Sequence, residues 1–180
     1  MASAQIDQII NKLWHPVEGG APLNVYALVD AARSESIYPK IMGAKVESVC
    51  LHRGKRAEEL AWVAPYLVHL QLEDPFTLWL LETGWGKSRA AFVRSAASLN
   101  ELNRHFRTCL TVYDDEGKSY FFRFYDPRVM RTYLPSCNRK EIKTVFGPGE
   151  NFIVEDEDPS ILLHFLRAKE TLVKEKVSLV

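Results

Sequence analysis

Apolar and polar positions alternate along the chain in short blocks whose period changes repeatedly. Apolar residues at helical spacing predict an amphipathic helix over Ala4–Trp14, and an apolar run predicts a strand over Val25–Val29. The same patterns predict strands from Val46, over Tyr66–Leu70 and over Ala90–Arg94, and helical segments over Tyr38–Ala44, Glu58–Trp62, Phe76–Glu82 and Leu99–Arg107. Strands that alternate with short helices predict a mixed α/β fold in which short helices flank a central sheet.

A β-hairpin is predicted in the C-terminal half of the chain. Two β-rich runs, Leu110–Tyr113 and Ser119–Tyr125, flank the polar loop Asp114–Lys118, whose length and glycine suit a hairpin connection. Aromatic side chains of the second run would point to both faces of its strand, so neither face would be solvated. We therefore expect this strand to lie in the centre of a sheet.

The last segment is predicted to form a long amphipathic helix over Pro159–Val180, after a strand-like run at Asn151–Glu155. The acidic residues Glu155–Asp158 would stabilise its N-terminal end through the helix dipole. One stripe of this helix would carry the side chains of Leu162, Phe165, Leu166, Leu172, Val173, Val177 and Val180. The stripe is predicted either to pack on the chain's own sheet or to contact a partner protein.

Length, charge and cysteine content narrow the classes of function. The 180 residues suit one domain, or one domain with an extension. Because 23 basic residues balance 23 acidic ones and no apolar stretch is long enough to span a membrane, we expect neither nucleic acid nor membrane as a partner. The three cysteines form no paired motif and the N-terminus lacks the features of a signal peptide, which predicts reduced thiols and a cytoplasmic location.

Asp-Pro steps are candidate helix starts, and the chain contains three of them, at Asp74, Asp126 and Asp158. The residue before proline avoids the helical conformation, an aspartate side chain can accept a hydrogen bond from the first turn, and proline suits the first helical position. Around Asp126 lie Arg123, Arg128 and Arg131, whose guanidinium groups could hold an anion or form an internal ion-pair network. We favour the internal network, because a buried arginine requires a partner.

Motifs for cofactor or metal chemistry are incomplete. Gly86-Lys87-Ser88 is similar to the end of a phosphate-binding loop, but Leu81 stands where that motif needs its first glycine. The five histidines lack the spacing of metal ligands. We therefore expect no cofactor, no metal and no catalytic residue. Gly84 is predicted to end the preceding helix in a left-handed conformation.

Several motifs follow one another in an order found in a known bacterial family. They are YALVDAA (Tyr26–Ala32), LHRG (Leu51–Gly54), AEELAWVAPYLVHL (Ala57–Leu70), GWG (Gly84–Gly86), SAASLNELNRHFRTCLTV (Ser95–Val112), FRFYDPRVMRTYLP (Phe122–Pro135) and Phe146-Gly147-Pro148. Together they resemble the adaptor or chaperone proteins of bacterial type VI secretion, and the resemblance covers Val25–Pro148. Its most specific part is the run FRFYDPRV.

The resemblance implies a non-enzymatic adaptor that binds a cognate toxic effector in the bacterial cytoplasm and helps to load it onto the VgrG spike. It divides the chain into an N-terminal helix and linker (1–24), an adaptor core (25–148) and a C-terminal strand-and-helix extension (149–180). Partner contacts are expected from Trp85, Arg123, Tyr125, Asp126 and Arg128 in the core and from Leu162, Phe165, Leu166, Leu172 and Val173 in the extension. Two alternatives remain open, a small-molecule hydrolase or transferase that uses Asp126 and Arg128, and a structural subunit of the secretion apparatus.

Overall fold

Nine strands and seven α-helices occur along residues 2–16, 21–169 and 171–180, which are the residues that the computed structural model describes. The strands are β1 (Asn24–Asp30), β2 (Ser48–Cys50), β3 (Pro65–Leu70), β4 (Ala90–Ser95), β5 (Thr111–Tyr113), β6 (Ser119–Phe121), β7 (Asn151–Glu155), β8 (Ile161–Ala168) and β9 (Thr171–Ser178). The helices are α1 (Ala2–Trp14), α2 (Ile37–Gly43), α3 (Gly54–Glu59), α4 (Pro75–Gly84), α5 (Leu99–Thr108), α6 (Pro127–Ser136) and α7 (Arg139–Phe146), with 3₁₀ turns at Ala31–Arg33 and Ala61–Val63. Among the helices within these residues, none is long and apolar enough to cross a membrane.

The elements predicted before residue 108 are confirmed with small differences at their ends, except that the helical turn expected at Glu58–Trp62 is divided between the end of α3 and the 3₁₀ turn Ala61–Val63. Local signals explain this agreement. Asp74 caps α4 by accepting a hydrogen bond from the N–H of Phe76, and Ser98 with Glu101 forms a capping box at the start of α5. Residues 17–20 of the predicted linker lie outside the described residues.

The strands β2-β3-β1-β4-β7-β8-β9 form, in that order, one antiparallel sheet of seven strands in the described part of the chain. At its centre, Ala27 of β1 lies opposite Val68 of β3 on one side and Phe92 of β4 on the other. The three strands after residue 149 continue this sheet outward from β4. The predicted mixed α/β fold with a central sheet is therefore confirmed.

Helices cover both faces of the sheet, because successive residues of the central strands alternate between two buried cores. Tyr26 lies in the core closed by α5, α6 and α7, where it shares a cluster with Phe106. Ala27 lies in the other core, closed by α1, α2 and α4, with Leu13 and Leu81. Since both faces of the central strands are covered, the surfaces for other contacts are the loops at the two ends of the sheet, the outer sides of the helices and the exposed edge strand β9.

The predicted long C-terminal helix is wrong, because residues 161–168 and 171–178 form the strands β8 and β9. Leu162 and Leu163 are both fully buried but belong to opposite cores, as neighbours in a strand do. A strand that is covered on both faces is a nearly continuous apolar run, and such a run fits the helical and the strand period alike. Asp158 accordingly caps no helix. Its carboxylate accepts hydrogen bonds from the backbone and the hydroxyl of Ser160 in the turn before β8.

The five apolar residues expected on that helix therefore form no single stripe. Leu162 and Phe165 are fully buried within the chain, on opposite faces of the sheet. Leu166 and Leu172 are half-buried, and Val173 in the edge strand β9 is exposed. The sequence leaves two roles open for these residues, packing within the chain or contact with a partner. Leu162 and Phe165 pack within the chain.

The predicted hairpin is present, but it is a separate two-stranded sheet of β5 and β6. Every residue of these two strands is exposed, so the expected central position of the second strand is wrong. The chain leaves β6 after Phe121 and turns, which buries the neighbours Phe124 and Tyr125. Two adjacent buried rings do not follow the alternation of a strand, and for this reason the aromatic pattern was misleading.

His164 on β8 predicts a pH dependence of stability. Its ring is buried, with Nδ1 3.1 Å from Oε2 of Glu175 on β9, and burial lowers its pKa below the ordinary value despite that carboxylate. As the pH falls, His164 therefore takes up a proton at a higher pH in the unfolded chain than in the folded chain. The stability linked to this histidine is fully present above its pKa in the unfolded state and is lost as the pH falls below that pKa. When the pH is lowered from about 7.5 to about 5.5, we expect the free energy of unfolding, measured by urea denaturation, to fall by about 1 kcal/mol more for the wild type than for His164→Gln. Equal losses in the two proteins would contradict this prediction.

Candidate functional site

The predicted partner-binding residues of the core meet at one end of the sheet, where β1 and β7 end and β4 begins. These residues are Trp85, Arg123, Tyr125, Asp126 and Arg128. Among the hydrogen bonds that connect the elements at this end, the N–H of Asp30 donates to the carbonyl of Arg89 at 2.9 Å, and Arg131 donates to the carbonyl of Glu155 at 3.1 Å. The opposite end, where β7 begins and β8 turns into β9, holds Leu166, Leu172 and Val173. The structure thus groups the candidates of the core and separates them from Leu166, Leu172 and Val173, whereas Leu162 pairs with Glu155 at the same end as the core candidates.

Asp30 and Arg123 form the centre of this end. Asp30 is buried at the end of β1, where its carboxylate accepts a hydrogen bond from the N–H of Ala32 at 3.1 Å and pairs with the guanidinium of Arg123. Burial raises the pKa of Asp30, and the charge of Arg123 acts in the opposite direction. The guanidinium carbon of Arg123 also lies 6.0 Å from the ring centre of Tyr125, which is buried. Arg123 therefore joins an internal network, as the sequence predicts, but its partner is Asp30 and not Asp126.

Asp126 is the N-cap of α6, as predicted, and it is buried. Its Oδ1 accepts hydrogen bonds from the backbone N–H and from Nε of Arg128, each at 3.0 Å, and its Oδ2 accepts one from Nη2 at 2.7 Å. Burial by itself would raise the pKa of Asp126, but the hydrogen bonds and the charge of Arg128 outweigh it and lower that pKa. The side chain of Arg128 is still 48% exposed. Helix α6 therefore begins with a fixed ion pair whose guanidinium is in part accessible to solvent.

Two substitutions at Asp126 separate the cap from the ion pair. Asp126→Ala removes the N-cap and leaves Arg128 without its partner, so we expect it to lower the free energy of unfolding by about 2–3 kcal/mol. Asp126→Asn keeps an oxygen that can accept from the N–H of Arg128 and loses mainly the ion pair, so it should cost about half as much. Urea denaturation followed by circular dichroism measures both values. Equal costs would contradict the role of the cap.

The loop Gly84–Ser88 encloses a carboxylate of the same chain. The N–H groups of Gly86 and Ser88 donate to Glu155 at 2.6 and 2.7 Å, and the hydroxyl of Ser88 donates at 3.1 Å. Gly86 has a φ of 77°, a left-handed conformation that glycine adopts without strain. The sequence predicted this conformation for Gly84, but Gly84 is the last residue of α4. Glu155 is buried, and burial raises its pKa. The segment that is similar to a phosphate-binding loop thus binds an internal anion.

Trp85 connects this loop to an open cavity. Its indole N–H donates to the carbonyl of Pro159 at 2.8 Å, and its ring stacks on Phe92 with ring centres 6.4 Å apart. The cavity has a volume of about 610 Å³ and lies between α1 and α4, with Ile6, Leu81 and Pro159 among its lining residues. Trp85 therefore holds the turn before β8 and also forms one wall of a surface opening.

The β5–β6 hairpin exposes apolar side chains at the same end of the sheet. These residues, which we call the hairpin surface, are Val112, Tyr113, Tyr120 and Phe121. Tyr113 is 70% exposed, and each of the others is at least 40% exposed. The N–H of Phe122 donates to the carbonyl of Leu110 at 2.8 Å, which attaches the base of the hairpin to the segment after α5. Val112 and Tyr120, which pair across the strands, lie on one face of the hairpin, and Tyr113 and Phe121 lie on the other. These exposed apolar side chains make the hairpin a candidate contact surface.

Sequence reasoning did not identify the two buried carboxylates of Asp30 and Glu155. Asp30 is the last residue of the buried apolar strand β1, and a carboxylate at such a position is a usable signal. Glu155 belongs to an acidic run in the sequence, and it meets Ser88, which lies 67 residues earlier, only in the folded chain. Within the described ranges, no group of three or more His, Cys, Asp or Glu side chains is placed to hold a metal ion.

Comparison with known proteins relates the chain to a protein family. A family model described as "Domain of unknown function (DUF4123)" matches residues 25–144, two thirds of the chain. The matched region includes Asp30, the loop with Trp85, the hairpin surface and the Asp126–Arg128 pair, whereas Glu155 follows it. No curated protein and no solved structure matches the chain.

Proposed function

This chain belongs to the family described as "Domain of unknown function (DUF4123)", and from that premise we propose that it is a non-enzymatic adaptor of bacterial type VI secretion. The adaptor binds a cognate effector protein in the cytoplasm and helps to load it onto a VgrG spike protein. The proposal is supported by the motifs between Val25 and Pro148, whose order resembles that of type VI adaptors.

The hairpin surface is the observation that carries this proposal. Tyrosine, tryptophan and arginine are the residue types that most often dominate the affinity of protein interfaces. Two exposed tyrosines lie on the hairpin, and Arg123 and Arg128, whose side chains are 40% and 48% exposed, follow it in the chain. Asp30 and Asp126 hold these arginines in place, so few side chains would have to be immobilised on binding. This arrangement suits the binding of a polypeptide.

The geometry of Asp126 argues against the alternative of a hydrolase or transferase. A general acid or base needs a pKa near the working pH. The pKa of Asp126 is lowered, and both of its carboxylate oxygens accept hydrogen bonds from Arg128. Turnover of an ester, a nucleotide or a peptidoglycan fragment that disappears in Asp126→Asn would nevertheless favour the enzyme.

Co-expression tests the adaptor function. The chain is produced together with the effector and the spike protein encoded beside its gene, and the tagged effector is purified and analysed by size-exclusion chromatography. We expect a stable complex with the effector, and an affinity reduced by about tenfold or more in Tyr113→Ala/Tyr120→Ala. Leu72→Ala is the control, since Leu72 is an exposed apolar residue in the turn after β3, at the other end of the sheet. A chain that binds neither protein contradicts the proposal, and a fixed ratio to the spike in the assembled apparatus would indicate a structural subunit.

A further inference from the structure

A second group of cationic side chains lies beside the hairpin and outside the network of Asp30 and Asp126. These side chains line an open cavity of about 340 Å³ between α3, α5 and the hairpin. We call it the arginine pocket, formed by His52, Arg53, Arg56, Arg107 and Phe121. The guanidinium of Arg56 lies 5.0 Å from the ring centre of Phe121, and the ring centre of His52 lies 5.6 Å from the same ring centre of Phe121. The pocket thus combines positive charge with one ring of the hairpin surface.

The charge of the arginine pocket is not neutralised by the described residues. Arg107 donates to the backbone carbonyls of residues 50–52 at 2.9 to 3.3 Å, which positions its guanidinium without cancelling its charge. No ion pair in the described part of the chain joins Arg53, Arg56 or Arg107 to a carboxylate. Burial lowers the pKa of His52, and the positive charge of Arg56 lowers it further. The pocket is therefore suited to receive an anion.

We propose that the arginine pocket binds a carboxylate side chain of the partner polypeptide, while an apolar side chain next to that carboxylate packs on the hairpin surface. The inference rests on the adaptor function and specifies the chemistry of the bound segment. A guanidinium presents a planar fork of N–H donors that matches both oxygens of a carboxylate. Phe121 supplies apolar area directly beside the charge. The segment therefore contains Asp or Glu adjacent to Leu, Phe or Tyr.

The charges along the hairpin favour an acidic peptide over a nucleic acid. The loop at the tip of the hairpin carries Asp114, Asp115 and Glu116. With strands of three residues, this tip lies about 10 Å from the base of the hairpin. A nucleic acid carries a phosphate at every nucleotide and would meet the acidic tip with a charge of the same sign. A peptide can place its carboxylates at the arginines and neutral or basic residues at the tip.

Selection from a random peptide library tests the inference with the full chain. Peptides displayed on phage are selected on the immobilised protein, and the strongest binder is synthesised with a fluorescent label. We expect the selected peptides to be enriched in Asp and Glu next to apolar residues. In fluorescence anisotropy, Arg53→Gln/Arg56→Gln should weaken the binder by about tenfold or more. Both arginines are exposed, so the double variant should fold, which its urea midpoint verifies.

The matched control removes two positive charges outside the pocket, with Lys55→Gln on α3 and Arg104→Gln on α5, the two helices that border the pocket. Its affinity should stay within about twofold of the wild type, because neither side chain lines the pocket and Lys55 already pairs with Glu59. Selected peptides without acidic enrichment, unchanged binding in Arg53→Gln/Arg56→Gln, or tighter binding of a poly-dT oligonucleotide through these arginines would overturn the inference. If that variant keeps the effector complex of the wild type, the inference fails and the adaptor function stands. If the wild type forms no such complex, the adaptor function fails.

Discussion

Replacing Gly147 by alanine is expected to lower the free energy of unfolding by about 4 kcal/mol, a large part of the roughly 5–15 kcal/mol that holds a domain folded. Gly147 ends α7 with a φ of 49° and a ψ of −120°, a conformation that is costly for any residue with a Cβ atom. A Cβ atom at this position would also overlap the ring of His105 on α5. The Nε2 atom of that ring lies 3.3 Å from the carbonyl of Val145, a contact that the ring would lose if it moved away. Urea denaturation of the purified variant measures the combined effect of strain and overlap.

Two further variants separate the backbone strain from the overlap. Gly117 also has a positive φ, of 79°, but nothing lies within 4 Å of an added Cβ atom, so Gly117→Ala should cost only about 1 kcal/mol. Adding His105→Ala to Gly147→Ala should restore roughly half of the lost stability, since it removes the overlapping ring. If Gly147→Ala costs no more than Gly117→Ala, α5 and α7 adjust freely and the described packing is wrong.

Truncating Glu155 to alanine is expected to cost about 3 kcal/mol and to loosen the loop that carries Trp85. The substitution removes the acceptor of hydrogen bonds from Gly86 and Ser88, and the bonds of Ser88 are buried. Burial opposes the charged form of Glu155 and raises its pKa, whereas the hydrogen bonds from Gly86 and Ser88 favour that form. The cost of truncation therefore arises mainly from the N–H and O–H groups left without an acceptor. Urea denaturation gives the free energy, and the tryptophan fluorescence difference from the wild type reports the environment of Trp85.

Neighbouring substitutions provide the controls for Glu155. Glu157→Ala removes the same charge from an exposed position two residues away and should change the stability by less than about 0.5 kcal/mol. Glu155→Gln keeps one oxygen as an acceptor and should have an intermediate cost. If Glu155→Ala is as stable as Glu157→Ala, other contacts hold the loop and the role assigned to Glu155 is wrong.

The accuracy of the sequence-based predictions follows the range of the interactions that form each element. Helices α4, α5 and α6 begin at capping residues that lie within three positions of the N–H groups they accept from, so a short stretch of sequence specifies them. The strand β8 has no such local signal. Its apolar run fits the period of a helix and that of a strand equally well. Only the packing of helices on both faces of the sheet distinguishes the two.

The candidate site divides in the same way. The N-cap role of Asp126 is predicted from Asp-Pro alone, and the structure places it there. The partner of Arg123 is not predictable from local pattern, since Asp30 lies 93 residues earlier and meets it only across the end of the sheet. The arginine pocket likewise combines residues of three separate elements. Its charge is not apparent from the balanced composition of the chain.

By itself, the amino-acid sequence determined the capped helices, the strands of the first half, the position of the hairpin and the resemblance to type VI adaptors, because each depends on residues close together in the chain. Only the tertiary structure decided that the C-terminal segment forms the strands β8 and β9, that Glu155 binds the loop of Trp85, and that rings and arginines gather at one end of the sheet. The order of strands in an antiparallel sheet is set by burial on both of its faces at once, and that condition involves residues that are distant in the sequence.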